Sequence, residues 1–206
     1  TAVRFPELLA RVGLVLRMDG AASPLAPSPG PGSIFYRIED ALRLGADALC
    51  VTTFPGTEDE EHTLEGLSRV IREAHEWGIP VMAEMMPGGF GGGADFRAAE
   101  AVGIAARVAA ELGADWVKVP HCEDFSKVVE SCYVPVVVLG GEAQDHPHST
   151  VEMVRTGMDE GAAGATIGRN IWQSADPEGV TAAIAGVIHE NLDTDSALAR
   201  LKSRGE

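Results

Sequence analysis

Residues 116–120, WVKVP, set a lysine in the middle of a short apolar run. A buried ammonium is costly unless it is paired or gives up its proton, so Lys118 either snorkels to a rim salt bridge or is kept for its amine. The chain has only Lys118, Lys127 and Lys202 against thirteen arginines. Arginine therefore supplies most of its solvated positive charge, and Lys118 is hard to read as surface decoration. Among Trp116, Val117 and Val119, desolvation favours the neutral amine, a nucleophile able to attack a ketone or aldehyde.

Such chemistry needs proton carriers. Asp19, Glu84 and His121 stand at strand ends and are the acid/base candidates, each of which could instead be a structural hydrogen-bonding group. Glu84 and Met86 share a face by strand alternation. Burial beside Met82 and Met86 would raise the Glu84 pKa, opposed by positive charge on Lys118. His121 follows Lys118 by three residues and is expected on the loop above it.

A second cluster suits an anion. LGG (139–141) and IGRN (167–170) end two apolar runs; glycine lets backbone N–H groups approach phosphate, and Arg169 can fork onto it. Gly140, Gly141, Gly168 and Arg169 are the candidate phosphate ligands, with two tight turns and an arginine salt bridge as the plain alternative. Glu142 is an unwelcome neighbour for phosphate. HCED (121–124) and DHPH (145–148) bring His121, Cys122, Asp145, His146 and His148 onto adjacent loops, but without a recognised ligand spacing, so no metal is expected. GFGGGA (89–94) imitates a dinucleotide fingerprint. It is not in the first strand–helix unit and no acid ends the next strand at the required distance, so no nucleotide cofactor is expected, and a mobile lid suits these glycines better.

The elements that position these residues are legible. Apolar runs suited to buried parallel strands recur at 12–18, 48–54, 80–86, 116–120, 135–141 and 164–169. IEDALRLGADALCV and AARVAAELGADWVKV are near copies, each an amphipathic helix stopped by Gly45 or Gly113 before the next strand, and MVRTGMDEGAAGATIG repeats the theme loosely. Alternating strands and helices indicate βαβ units. Gly, Pro and polar residues cluster after each strand while the turns before strands are short, the pattern of a TIM barrel. Six strands can be counted where a complete barrel has eight, so the first two units are expected to be missing from this chain or the sheet to be open. The Pro-rich SPLAPSPGPG (23–32) reads as a stiff loop.

Composition bounds the function classes. With 206 residues, 45% hydrophobic, the chain can bury one substantial core. A net charge of −15 argues against nucleic-acid and anionic-membrane surfaces. No apolar run approaches the roughly 20 residues that span a bilayer, and the first residues lack signal-peptide features, so a cytoplasmic location is expected. Cys50, Cys122 and Cys132 are odd in number and free of CxxC spacing, as reduced thiols would be.

Taken together, EDALRLGADALCVTTFPGTEDE, AARVAAELGADWVKV, VPVVVLGGEAQ and GAAGATIGRNIWQS, in that order, resemble class I Schiff-base aldolases of the DeoC/LacD type. The branch is that of archaeal-type fructose-bisphosphate aldolases, aminodideoxyheptulosonate synthases and the autoinducer-2 phosphate thiolase. The resemblance runs from about residue 12 to residue 200. It implies a single aldolase-type TIM-barrel domain over 1–206, N-terminally incomplete relative to the family, with LVLRMDG as the third strand and Lys118 as the Schiff-base lysine on the sixth. It further implies lyase activity on a small, phosphorylated sugar or ketone, without a cofactor, and assembly into homo-oligomers. The alternatives are a thiolase-like acyl transfer on a phosphorylated dione and a barrel that binds a phosphorylated ligand without turnover. Two departures stand out: the family's opening strand with its catalytic aspartate has no counterpart, and the family's acid/base tyrosine falls at Met86.

Overall fold

Four helix-to-strand joints are built alike. After α2 (Ile38–Arg43), α3 (Glu60–Glu76), α4 (Ala99–Glu111) and α6 (Pro147–Asp159), a glycine with positive φ ends the helix: Gly45, Gly78, Gly113 and Gly161. The residue after it donates its N–H to the carbonyl five residues back, as in Ala46 to Ala41 and Ala114 to Ala109, both at 3.1 Å. This left-handed closure satisfies carbonyls that the helix end leaves open, and glycine takes it without a Cβ penalty. The next strand starts three residues after each glycine, giving β4 (Ala48–Thr53), β5 (Val81–Met85), β6 (Trp116–Val119) and β8 (Gly164–Thr166).

The near-copied LGAD segments also fix strand register. Asp47 Oδ2 accepts the N–H of Leu14, just before β1 (Val15–Arg17), and Asp115 Oδ2 accepts that of Val81, each at 2.7 Å. Each aspartate thus clamps the start of the neighbouring strand to its own.

The computed structural model describes residues 3–9, 11–20, 25, 32–141 and 146–201. Six strands, β1, β4, β5, β6, β7 (Val136–Leu139) and β8, form one parallel sheet in chain order. A doubly wound sheet would reverse its order at a switch point, whereas strands laid side by side in sequence are the winding of a barrel. Among the described residues β1 and β8 do not pair, so the sheet is an open, curled arc of the TIM-barrel type. The expected first strand, 12–18, shrinks to three residues. A two-residue hairpin partner follows it, β2 (Asp19–Gly20) against β3 (Ser33–Ile34), which sequence periodicity does not reveal. Of the Pro-rich loop only Leu25 and Gly32 lie within the described residues.

Strand residues of one parity point to the helices. Leu49, Val51, Val81, Ala83, Met85, Val117, Val119, Val136 and Val138 share a core with Leu67 and Val70 of α3, Val102 and Ala106 of α4, and Phe125 of α5 (Phe125–Ser131). A second cluster joins α6, α8 (Pro177–Glu190) and α9 (Thr194–Leu198) through Val151, Val154, Val180, Ile184 and Ala197. The short helices α1 (Pro6–Leu9) and α7 (Arg169–Trp172) and a 3₁₀ turn at Ala94–Arg97 complete the chain. No helix among the described residues is long and apolar enough to cross a membrane.

Candidate active site

The opposite parity carries the polar residues. Sheet register aligns Thr52 with Glu84 and Glu84 with Lys118 across β4, β5 and β6, so three neighbouring strands deliver a hydroxyl, a carboxylate and an amine to one rank of the concave face. Lys118 Nζ lies 2.5 Å from Glu84 Oε1. Their side chains are 18% and 8% exposed, so this is a largely desolvated pair rather than a rim salt bridge. Glu84 Oε2 accepts from Thr52 Oγ1 at 2.8 Å and from Arg17 Nη2 at 2.6 Å. Arg17 Nη2 also donates to Thr52 Oγ1. Asp19, almost wholly buried, accepts the backbone N–H of Thr52 at 3.0 Å and faces Arg17 Nε at 3.4 Å.

This geometry reverses one expectation. Burial does push the Glu84 pKa up, but the charges of Lys118 and Arg17 and the hydrogen bonds from Lys118 and Thr52 outweigh it, holding the carboxyl below the ordinary carboxylate range. Met82 and Met86 are buried as expected. The opposing charge of Lys118 is expected from the sequence; the second cation, Arg17, is not. Beside it on β4, burial foremost and the negative charge of Glu84 next push the Cys50 thiol up to about 12, leaving it neutral.

Arg17 and Thr52 are absent from the residues that sequence reasoning singles out. The signal for Arg17 was present: LVLRM sets a charge within an apolar strand, as WVKVP does. His121 goes elsewhere. Its Nε2 lies 3.2 Å from Glu160 Oε2 and its ring stacks on Phe125 at 5.3 Å, so its contacts are with the helical layer. Among the described residues no hydrogen bond or ion pair links it to Lys118. An odd offset from Lys118 reverses the face on a strand, and the chain keeps that sense past Val119.

The candidate phosphate residues lie at the ends of two adjacent strands. Gly140 follows β7, and a Cβ there would come 3.1 Å from Ile167 Cγ2, so glycine lets the loop after β8 close onto it. The carbonyl of Gly140 accepts from Asn170 Nδ2 at 2.7 Å. Gly141 has φ of +64° with open space around its Cβ position. Gly168 precedes α7, packed over the Trp172 ring, and Arg169 is exposed with no ion pair among the described residues. Lys118 is in register with Val137, so Gly140 lies three residues further along, roughly 10 Å of strand rise toward the C-terminal end. Glu142 and Asp145 lie outside the described residues.

The glycine loop after β5 is tied down. Arg97 Nη1 donates to the Pro87 carbonyl at 2.6 Å and Nη2 to that of Gly89 at 3.0 Å. Phe90 packs edge-on to Phe54 at 5.2 Å. No group of three or more His, Cys, Asp or Glu side chains that could hold a metal ion occurs among the described residues. A cavity of about 470 Å³ lies away from Lys118, between residues 34–39 and α3.

The helix-covered, barrel-type sheet is a fold with known relatives. The sequence matches the DeoC/LacD family of aldolases over residues 4–174. It is 38% identical to the 2-amino-3,7-dideoxy-D-threo-hept-6-ulosonate synthase of Halobacterium salinarum, over 91% of this chain and 71% of that protein. It is 35% identical to the 3-hydroxy-5-phosphonooxypentane-2,4-dione thiolase of Klebsiella pneumoniae, over 89% of this chain and 61% of that protein. A solved archaeal fructose-1,6-bisphosphate aldolase, its catalytic lysine covalently bound to the carbinolamine intermediate, superposes with a TM-score of 0.78. Its identity to this chain is 31%, over 86% of this chain and 71% of the other. The chain belongs to the DeoC/LacD family of aldolases.

Proposed function

We propose that this protein is a class I aldolase-type lyase that acts through a Schiff base on Lys118, with a small phosphorylated sugar or ketone as substrate. The carrying observation is the buried Nζ–Oε1 contact of 2.5 Å between Lys118 and Glu84. Glu84 Oε1 takes a proton from the ammonium, the freed amine attacks the carbonyl carbon, and the same oxygen returns the proton to the carbinolamine hydroxyl, which leaves as water. An ammonium and a carbonyl thus become an iminium and water, and Glu84 is again a carboxylate. The iminium draws electrons from the carbon–carbon bond made or broken. Glu84 occupies the working position that the family tyrosine leaves vacant at Met86. His121, turned toward Glu160, has no part in this scheme, and Asp19 acts through its hold on Arg17 and Thr52. Backbone amides near Gly141 and Gly168, with Arg169, would hold the phosphate beyond the carbonyl.

The lysines differ in a way that supports Lys118. Lys118 and Lys127 are both paired with a carboxylate at 2.5 Å, but the Lys127 side chain is 68% exposed on a helix, whereas that of Lys118 is 18% exposed on the concave face of the sheet. The 35% identity to a dione thiolase supports a second reading, acyl transfer from a phosphorylated dione to a thiol acceptor. One experiment separates the two: fructose 1,6-bisphosphate is assayed for triose phosphate release, and a phosphorylated dione with a thiol acceptor for thioester. Triose release that disappears in Lys118→Arg is the expected result, since arginine keeps the charge but cannot supply a neutral amine. Thioester formation alone would assign the acyl transfer. Neither product would leave a non-catalytic binding barrel. Location in the cytoplasm and homo-oligomeric assembly are part of the same proposal.

A further inference from the structure

The two oxygens of Glu84 have separate duties. Among the described residues Oε1 faces only Lys118, at 2.5 Å, while Oε2 takes both Arg17 Nη2 at 2.6 Å and Thr52 Oγ1 at 2.8 Å. Arg17 is itself held: its Nε lies 3.4 Å from Asp19, whose other oxygen accepts the Thr52 N–H at 3.0 Å. One buried carboxylate therefore fixes both groups that grip Oε2.

We propose that Arg17 is a positioning residue for the Schiff-base step, aiming Oε1 of Glu84 at the Lys118 nitrogen and keeping Glu84 a carboxylate. This rests on the Schiff-base reading of Lys118. A guanidinium suits the task because its planar fork reaches Asp19 and Glu84 at once, whereas a point charge on a flexible stem fixes neither.

Charge counting gives the second part of the role. The groups facing Glu84 are Lys118 from β6, Thr52 and Cys50 from β4, Arg17 from β1 and Asp19 from β2. With the Cys50 thiol neutral, two cations balance two anions while Lys118 is an ammonium, and balance them again when it becomes a cationic iminium. Moving the ammonium proton onto Glu84 leaves the set neutral as well, so the free amine and the iminium are both reached without net charge building up in the buried site. Without Arg17 the set stays one charge negative even with the iminium. Glu84 would then hold the proton it must return to the carbinolamine hydroxyl.

The test uses the full chain, with dihydroxyacetone phosphate as probe and cyanoborohydride as trap, and follows adduct formation by intact mass across a pH series. Arg17→Met is expected to slow trapping about 10²-fold. Its acid limb should move up toward the ordinary carboxylate value of 4.5, since the guanidinium is one of the charges holding Glu84 below it. Arg17→Lys retains the charge without the fork. It should keep the parent's acid limb and recover only part of the rate, a split that a merely structural residue would not produce. Circular dichroism checks that each variant folds; if Arg17→Met does not, a parent-like rate in Arg17→Lys would by itself overturn the orienting role. Parent-like rate and acid limb in folded Arg17→Met would overturn the proposal and leave the Schiff-base reading standing. No trapped adduct in the parent would overturn both.

Discussion

The two faces of the sheet are made by alternate residues of the same strands, and they obey different rules. On β5, Val81, Ala83 and Met85 are fully buried against helices, while Glu84 between them faces two cations. On β6, Val117 and Val119 are fully buried, and Lys118 between them carries the candidate nucleophile. The helix-covered face needs only apolar volume packed to density, which many residue combinations satisfy. The concave face depends on a few charges, each tolerable only because a partner lies within hydrogen-bond reach. A substitution should therefore abolish the fold on one face and the chemistry on the other, even one residue apart.

The sharpest contrast is Val117 against Lys118. Val117→Asp would bury an unpaired carboxylate among α4 and neighbouring strands, and should cost more than about 4 kcal/mol, enough to prevent soluble folding. Lys118→Arg should give a normal circular dichroism spectrum and no turnover. A folded Val117→Asp protein would break the comparison at its stronger end.

Glu84→Gln comes next. It keeps the shape but cannot relay the proton, so turnover should fall about 10³-fold while the trapped adduct at Lys118 still forms slowly. Full activity in this variant would eliminate Glu84 as the proton carrier.

Arg169→Ala should act only on the anion. Binding of a phosphorylated ligand should weaken by about 2 kcal/mol, and that of an unphosphorylated analogue should stay unchanged by calorimetry. Equal losses for both would make Arg169 structural.

The smallest expected effect is on stability against pH. Because the folded pKa of Glu84 lies below its ordinary value of 4.5, its ionised form stabilises the fold fully above that value. The contribution drains away as pH falls through the lower folded pKa. The melting temperature of the parent should exceed that of Glu84→Gln by about 2–4 °C near pH 6, and the gap should close as the pH falls below the ordinary carboxylate range. A constant gap would mean that the Glu84 charge is not what the folded state holds.

The faces also differ in how well the sequence displays them. Apolar runs bounded by glycine turns mark β4 to β8 because a strand buried on the helical side can hardly be written otherwise, and the repeated LGAD segments give the joints away. The hairpin of β2 and β3 stays hidden, since two-residue strands carry no period and pair across a long loop. On the concave face, Lys118 stands out by rarity. Arg17 does not, because the abundance of arginine makes each one look solvated, and what distinguishes it is a strand register that brings three neighbours to one carboxylate. The downward pull on Glu84 is likewise a property of the assembled sheet: from its own strand only burial among methionines is visible, which points the other way. His121 looks close in sequence, yet its odd offset from Lys118 already carried the sign that it faces the helices.

The most direct test of the central claim is to find where a carbonyl substrate becomes attached. The parent protein is incubated with dihydroxyacetone phosphate, reduced with borohydride, digested and mapped by mass spectrometry. The adduct is predicted on the peptide containing Lys118, with Lys127 and Lys202 unmodified. An adduct on either of those lysines instead, or none with any carbonyl ligand tried, would contradict it.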